Sequence, residues 1–177
     1  MSKVRRTWVA LIAVVAGTGA VAAHHSLAQF DTTKPVWVKG TVVRFERVNP
    51  HSLIYLDQTT ADGRGQRWAV DGPAPNALAR MGISADFLKA GDVIEVCGFV
   101  MKPQFEPVSE GSSVTSIARP ISGHLLVRPD GRRRVWSDYG VLEKCLTPGE
   151  DKEKLRRESD RDWVSQAAPT PRIGESR

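Results

Sequence analysis

The order of short strand-like segments in the middle of the chain constrains the fold most. Residues 36–46, 52–57 and 66–71 are rich in β-branched and aromatic residues, as half-buried strands are. Asp62-Gly63-Arg64-Gly65 is a hairpin turn signal between the second and third of these segments. The pattern predicts a three-strand meander, and Gly40 inside the first strand predicts a bulge or bend there.

The next part of the chain predicts a short helix and then further strands. Residues 76–81 have a helical pattern, and Ser84 is a candidate N-cap for a short turn that ends at Gly91. Residues 92–100 form a strong strand candidate, and weaker candidates follow at the segments 114–117, 125–128 and 133–137. Three strands, a helix between strands 3 and 4, and two more strands is the order of an OB-fold, a small five-stranded Greek-key barrel. A β-sandwich is the rival architecture.

The N-terminus has the pattern of an export signal. Lys3, Arg5 and Arg6 precede an apolar run that ends in small residues at Val21-Ala22-Ala23. The run is shorter than the roughly 20 residues that span a bilayer, so a cleavable signal over residues 1–23 is predicted rather than an anchor. We expect a periplasmic or secreted protein with no stable membrane span after cleavage.

Charge and cysteine content exclude several classes of protein. Removing Lys3, Arg5 and Arg6 from the 25 basic residues leaves 22 against 20 acidic ones, a net charge of +2. A strongly basic nucleic-acid binder is therefore disfavoured, and no nucleic-acid partner is expected. Arg132, Arg133 and Arg134 with Trp136 resemble a basic-aromatic patch, although a charged hairpin edge has the same pattern.

Cys97 and Cys145 are the two cysteines. In an oxidising compartment a disulfide between them would persist, and closing a loop of this length would stabilise the fold by about 4 kcal/mol. The alternative is a buried thiol at Cys97 and a free one at Cys145. Two distant cysteines do not form a redox motif.

The histidines are the candidate metal ligands. Signal cleavage would place His24 and His25 at or next to the mature N-terminus, and His51 follows Asn49-Pro50 in the turn at the barrel rim. An N-terminal amine with imidazoles suits copper, and zinc is a second possibility. The alternative is a solvated N-terminus with a turn histidine. Asn49, Trp68 and Asn76 are further candidates for ligand contacts at the rim, with Trp68 also a core candidate, and His124 is interpreted as the start of a strand.

The remaining segments complete the predicted domain organisation. Residues 24–35 form an N-terminal segment, residues 36–145 the OB-like barrel, and residues 146–177 a charged, partly disordered tail. Leu155, Ser159 and Trp163 would share one face of a helix in this tail. We expect that helix to be solvated, with docking on the barrel or a partner as the alternative.

Several short motifs follow one another in a characteristic order along residues 22–136. They are Ala23-His-His-Ser26, Lys39-Gly-Thr-Val42, Asn49-Pro-His51, Pro75-Asn-Ala-Leu78, Leu88-Lys-Ala-Gly-Asp92 and Pro129-Asp-Gly-Arg132. In these motifs the chain resembles a DUF family of small exported bacterial proteins of unknown function. The resemblance implies export and a compact β-rich domain, and it brings no known activity, substrate or catalytic residues. Residues 144–177, with Cys145, lie outside the pattern.

Three functional hypotheses follow. The first is a non-catalytic periplasmic OB-like module that binds a small ligand or copper, the metal being held by His24, His25 and His51. The second is a structural or interaction protein that docks an envelope partner through its rim or C-terminal helix. The third is a copper enzyme with an N-terminal histidine brace. The sequence contains no hydrolase signature, and no catalytic residues are predicted.

Overall fold

The computed structural model describes residues 27–106 and 118–159. The strands are β1 (Val36–Val48), β2 (His51–Thr59), β3 (Gly65–Gly72), β4 (Val93–Val100), β5 (Arg119–Val127) and β6 (Arg133–Val135). The helices are α1 (Pro75–Arg80) and α2 (Lys152–Ser159), with single 3-10 turns at Leu27–Gln29, Ala85–Phe87, Pro103–Phe105 and Leu142–Cys145. The predicted helix between the third and fourth strands is α1.

Five strands close into a barrel. β1 pairs antiparallel with β2 on one side and β4 on the other, β2 pairs with β3, and β4 pairs with β5. Parallel pairing of β3 with β5, over Trp68–Asp71 and Arg119–Ser122, completes the ring. This is the Greek-key order of an OB-fold, so the predicted fold class is confirmed. β6 forms a hairpin with the end of β5.

Gly40 and the bulge of β1 occupy different positions. Gly40 is paired in regular register with Ile94 of β4, and the register of β1 against β2 shifts between Val42 and Arg44. A Cβ at Gly40 would lie 2.7 Å from the carbonyl oxygen of Asp57 on β2. Glycine is therefore needed for the close approach of two strands. Of the bulge or bend predicted at Gly40, the bulge lies two to four residues later in β1.

The barrel interior follows from alternation along the strands. Every second residue of β2 is buried, namely Ser52, Ile54 and Leu56, while their neighbours face outward. Leu78 of α1 and the segment that follows it, Ile83 to Leu88, pack against one end of this core. Trp136, just after β6, is wholly buried there and stacks against Phe87 at 6.1 Å between ring centroids.

β5 differs from the two weak strands expected in this region. It is one continuous strand from Arg119 to Val127, and the candidate at 114–117 lies outside the described residues. His124 is therefore in the middle of a buried strand rather than at its start. Gly123 does not interrupt this strand, and its missing side chain makes room for Val70 and Trp136.

The predicted disulfide joins Cys97 of β4 to Cys145 in the last 3-10 turn. It lies in a second apolar cluster outside the barrel with Leu125, Val135, Leu142 and Leu155. Leu155 of α2 is 2% exposed, so the expected solvated helix is wrong: α2 packs on the barrel. The Arg134 guanidinium also donates a 2.6 Å hydrogen bond to the Ser159 carbonyl at the end of α2.

Substituting Gly72 with alanine should destabilise the fold. The new Cβ would overlap the indole nitrogen of Trp136, so we expect a loss of about 1–3 kcal/mol in the free energy of unfolding by urea. Gly65→Ala in the same strand is the control, because a Cβ there meets nothing within 4 Å. The packing argument fails if both variants unfold like the wild type.

Reducing the disulfide should lower the free energy of unfolding by about 4 kcal/mol, because cysteines separated by 48 positions close a long loop. Urea titrations with and without reductant measure this difference. The double variant Cys97→Ala/Cys145→Ala should be insensitive to reductant. An equal effect of reductant on both proteins would assign the loss to something other than the disulfide.

Candidate functional site

A pocket of about 460 Å³ lies on the outer face of the barrel, across β2, β3 and β5. Its polar end is formed by His51, Asp71, Ser122 and Tyr139, and its other walls are mainly apolar. Those walls include Leu27, Phe30, Leu53, Met101 and Pro120. The volume and the mixture of apolar walls with a few polar groups are typical of small-molecule sites.

The strand pattern places the polar end of this pocket. His51, Leu53 and Tyr55 are the outward-facing residues of β2, alternating with the buried Ser52 and Ile54. Asp71 on β3 is in register with Leu53 on one side and with Ser122 on the other. The outward residues of three strands therefore meet because β3 pairs with both β2 and β5.

The segment that precedes β1 forms one wall of the pocket. Phe30 pairs with Met101, and Asp31 donates a 2.9 Å backbone hydrogen bond to Val100. Lys102 donates to the backbone oxygens of both Ala28 and Gln29, at 2.8 Å each. These bonds hold residues 28–31 along the end of β4, beside the pocket.

His51 and Asp71 are in contact at the polar end. Nδ1 of His51 lies 2.8 Å from Oδ1 of Asp71, and the two side chains are 31% and 28% exposed. A carboxylate on Nδ1 orients the imidazole ring, as carboxylates do behind metal-binding histidines. A metal bound by His51 would then be held through the other nitrogen, Nε2.

His124 lies behind Ser122 in a wholly buried polar network. Its Nε2 is 3.2 Å from the Ser122 hydroxyl, and its Nδ1 is 3.1 Å from the Ser137 carbonyl oxygen. Burial lowers the pKa of His124 and outweighs the hydrogen bond to the Ser137 carbonyl oxygen, which acts in the other direction. A neutral ring that donates through Nδ1 can accept the Ser122 hydroxyl proton at Nε2, so both polar groups are satisfied.

Tyr139 closes the polar end. The residue as a whole is 55% exposed, but partial desolvation of its hydroxyl, together with the charge of Asp71, raises the pKa of that hydroxyl above 10.0. Its ring meets that of His124 edge-on at 6.2 Å. Tyr139 therefore remains a protonated hydrogen-bond donor near neutral pH.

The structure separates the sequence-predicted site residues. His51 lines the pocket, whereas His24 and His25 lie outside the described residues. Asn49 and Asn76 are exposed, on the turn before β2 and on α1, and neither lines the pocket. Trp68 belongs to the barrel core, where its Nε1 donates a 2.9 Å hydrogen bond to Gln58.

The residues of the predicted basic-aromatic patch do not form an exposed basic-aromatic surface. Trp136 is wholly buried, and Arg134 is 3% exposed and bonded to backbone oxygens of Met81 and Ser159. Arg133 pairs with Glu150 and Arg132 with Asp130. Arg133 and Arg134 thus bind the C-terminal part of the chain, whereas Arg132 is paired within its own hairpin.

Sequence reasoning missed Asp71, Ser122 and Tyr139. No motif contains them, because they come from two strands and a loop that are far apart in the chain. The signal that could have found Asp71 is the alternation of inward-facing and outward-facing residues along the strands, which places Asp71 on the same face as His51.

Two features are absent from the described ranges, a cluster of metal-ligating side chains and a membrane-spanning helix. Across residues 27–106 and 118–159, no three His, Cys, Asp or Glu side chains come together in a way that could hold a metal ion. Among the helices of the same ranges, none combines the length and the apolar character needed to cross a bilayer.

The comparison with known families identifies the chain. The model of a family of unknown function, DUF6152, matches residues 11–106. The chain belongs to this family. The match spans β1 to β4 and α1, while β5, β6, α2 and Cys145 follow it. No curated protein matches the sequence.

The lowered pKa of His124 predicts a pH dependence of stability. The unfolded histidine has an ordinary pKa near 6.5, so below that pH the unfolded state takes up the proton more readily. The free energy of unfolding should therefore fall as the pH drops below about 6.5, until the pH reaches the folded pKa. Urea titrations between pH 7.5 and 5 measure it.

His124→Gln provides the comparison for this measurement, because glutamine does not titrate and the other histidines are common to both proteins. The variant should show a smaller loss of stability over the same pH range. Identical pH dependence in both proteins would contradict the assignment to His124.

Proposed function

We propose that this chain is an exported OB-barrel module that binds copper through His51 and the N-terminal histidines, His24 and His25. One observation carries the proposal: Leu27, which follows His25 by two residues, lines the same pocket as His51. The membership in DUF6152 brings no activity that competes with this proposal.

Covalent geometry supports the convergence of these residues. Consecutive Cα atoms are about 3.8 Å apart, so the Cα atoms of His25 and His24 lie within about 8 Å and 11 Å of that of Leu27. The hydrogen bonds of Ala28, Gln29 and Asp31 fix the start of this short tether beside the barrel.

The donor set supports copper. Export with cleavage after Ala23 would create an N-terminal amine on His24, next to two imidazoles. Amine and imidazole nitrogens suit copper, which has the highest affinity in the divalent series. Asp71 already orients His51 for binding through Nε2.

The described residues also agree with a site that is completed by the N-terminus. His51 and Asp71 are not joined there by a third candidate ligand, so a site at His51 requires donors from outside the described ranges. His24 and His25 are the histidines that the sequence supplies at that position.

Packing weighs against docking through the C-terminal helix. Leu155, one of the two apolar residues proposed for a partner, is buried against the disulfide cluster of the same chain. The other, Trp163, lies outside the described residues. Partner docking through the barrel rim and a copper enzyme with a histidine brace stay as alternatives.

The test measures copper affinity of protein exported to a periplasm and purified without a tag or chelator, after its mass has shown which residue starts the mature chain. His51→Ala should raise the Kd for Cu²⁺ at least tenfold, which is about 1.4 kcal/mol. Asp71→Asn should weaken binding by about 10- to 100-fold through loss of ring orientation.

Val48→Ala is the matched control, because Val48 is paired with His51 across the hairpin and has no donor atom. It should bind copper like the wild type. An unchanged Kd in His51→Ala would remove His51 from the site. A protein that takes up no copper would leave ligand or partner binding as the function, and oxygen-dependent turnover with copper would favour the enzyme.

A further inference from the structure

Three buried polar atoms at one end of the barrel have no hydrogen-bond partner within the described residues. They are Nε of Arg47, Oγ of Ser52 and Nε1 of Trp136. Ser52 and Trp136 are wholly buried, so bulk water does not solvate these groups. Buried polar groups nearly always have a hydrogen-bond partner, so such a cluster indicates a bound ion or small molecule between the three atoms.

The strand register brings the three groups together. Arg47 on β1 is directly opposite Ser52 on β2, and Ser52 is directly opposite Gly72 on β3. Side chains of directly opposed residues lie on the same face of a sheet, about 5 Å apart at Cβ. The indole nitrogen of Trp136 lies against Gly72, at the position where a Cβ would be.

The three unpaired groups can all donate hydrogen bonds, so a species bound between them has to be a hydrogen-bond acceptor. Guanidinium and indole nitrogens can only donate hydrogen bonds, and a serine hydroxyl can donate as well. Nη2 of Arg47 donates a 3.2 Å hydrogen bond to the carbonyl oxygen of Pro75, whereas the buried Nε has no partner within the described residues. In the part of the chain that the structure describes, no carboxylate pairs with Arg47.

We propose that Arg47, Ser52 and Trp136 form a binding site for one small monovalent anion of the size of chloride. Three donors converge on it, and its charge balances that of Arg47. A water molecule in the same place would satisfy hydrogen bonds, but it would leave this half-buried positive charge uncompensated.

The site lies next to the turn that leads into the pocket. Val48, which follows Arg47, is paired with His51, so the anion would hold the base of the turn that carries His51. The anion site does not depend on copper, and its test is independent of the proposed function.

The test is anomalous diffraction from crystals of the exported protein in which bromide replaces chloride. We expect a bromide peak between Arg47, Ser52 and Trp136 in the wild type, and its loss in Arg47→Gln. Arg44→Gln is the matched control, because Arg44 is on the same strand but pairs with Glu46 on the barrel surface. It should keep the peak.

A solution measurement covers the case of a variant that does not crystallise. The thermal unfolding midpoint should rise saturably with sodium bromide, compared with sodium gluconate at equal ionic strength. Wild type and Arg44→Gln should show this rise, and Arg47→Gln should lack it. Density without an anomalous peak, which means water, or a bromide response that is the same in Arg47→Gln, would overturn the proposal.

Discussion

The parallel pairing of β3 with β5 is the contact on which the rest of the structure depends. It joins the two ends of the sheet and leaves the inward residues of all five strands in one closed interior. The same pairing sets Asp71 beside Ser122 on the outer face. One register of β3 against β5 therefore determines both which side chains fill the core and which line the pocket. A one-residue slip would turn Asp71 inward and Val70 outward, at the cost of a buried charge.

Closure of the barrel leaves its ends and outer face to be covered by other parts of the chain. The segment before β1 runs along the end of β4 and forms a pocket wall, while α2 and the disulfide cover the outer side of β4 and β5. Charged residues such as Arg133 and Arg134 attach this C-terminal cover. This division leaves the polar end of the pocket, with His51 and Asp71, accessible beside the start of the described chain.

The polar groups fall into networks of different character. His124 is satisfied within the protein and serves the fold, because both ring nitrogens have partners. The side chain of His51 is 31% exposed and is oriented by a carboxylate, which is why it is the ligand proposed for copper. Arg47, Ser52 and Trp136 have donors that the described residues do not satisfy, which is the arrangement of an anion site. Hydrogen-bond partners and burial distinguish these three roles. The residue type alone does not, because a histidine or an arginine in the sequence is compatible with each role.

By itself the sequence determined the strand order, the helix between β3 and β4, the hairpin at Gly63 and the cysteine pair, because alternation and turn chemistry are local signals. It also selected His51 as a candidate site residue, and the structure places that residue in the pocket on the outer face of the barrel. Only the tertiary structure decided that β5 runs unbroken through Gly123, that Leu155 is buried, and that Asp71, Ser122 and Tyr139 surround His51. Those outcomes depend on which distant strands meet, and neither the spacing nor the composition of the chain contains the register of β3 against β5.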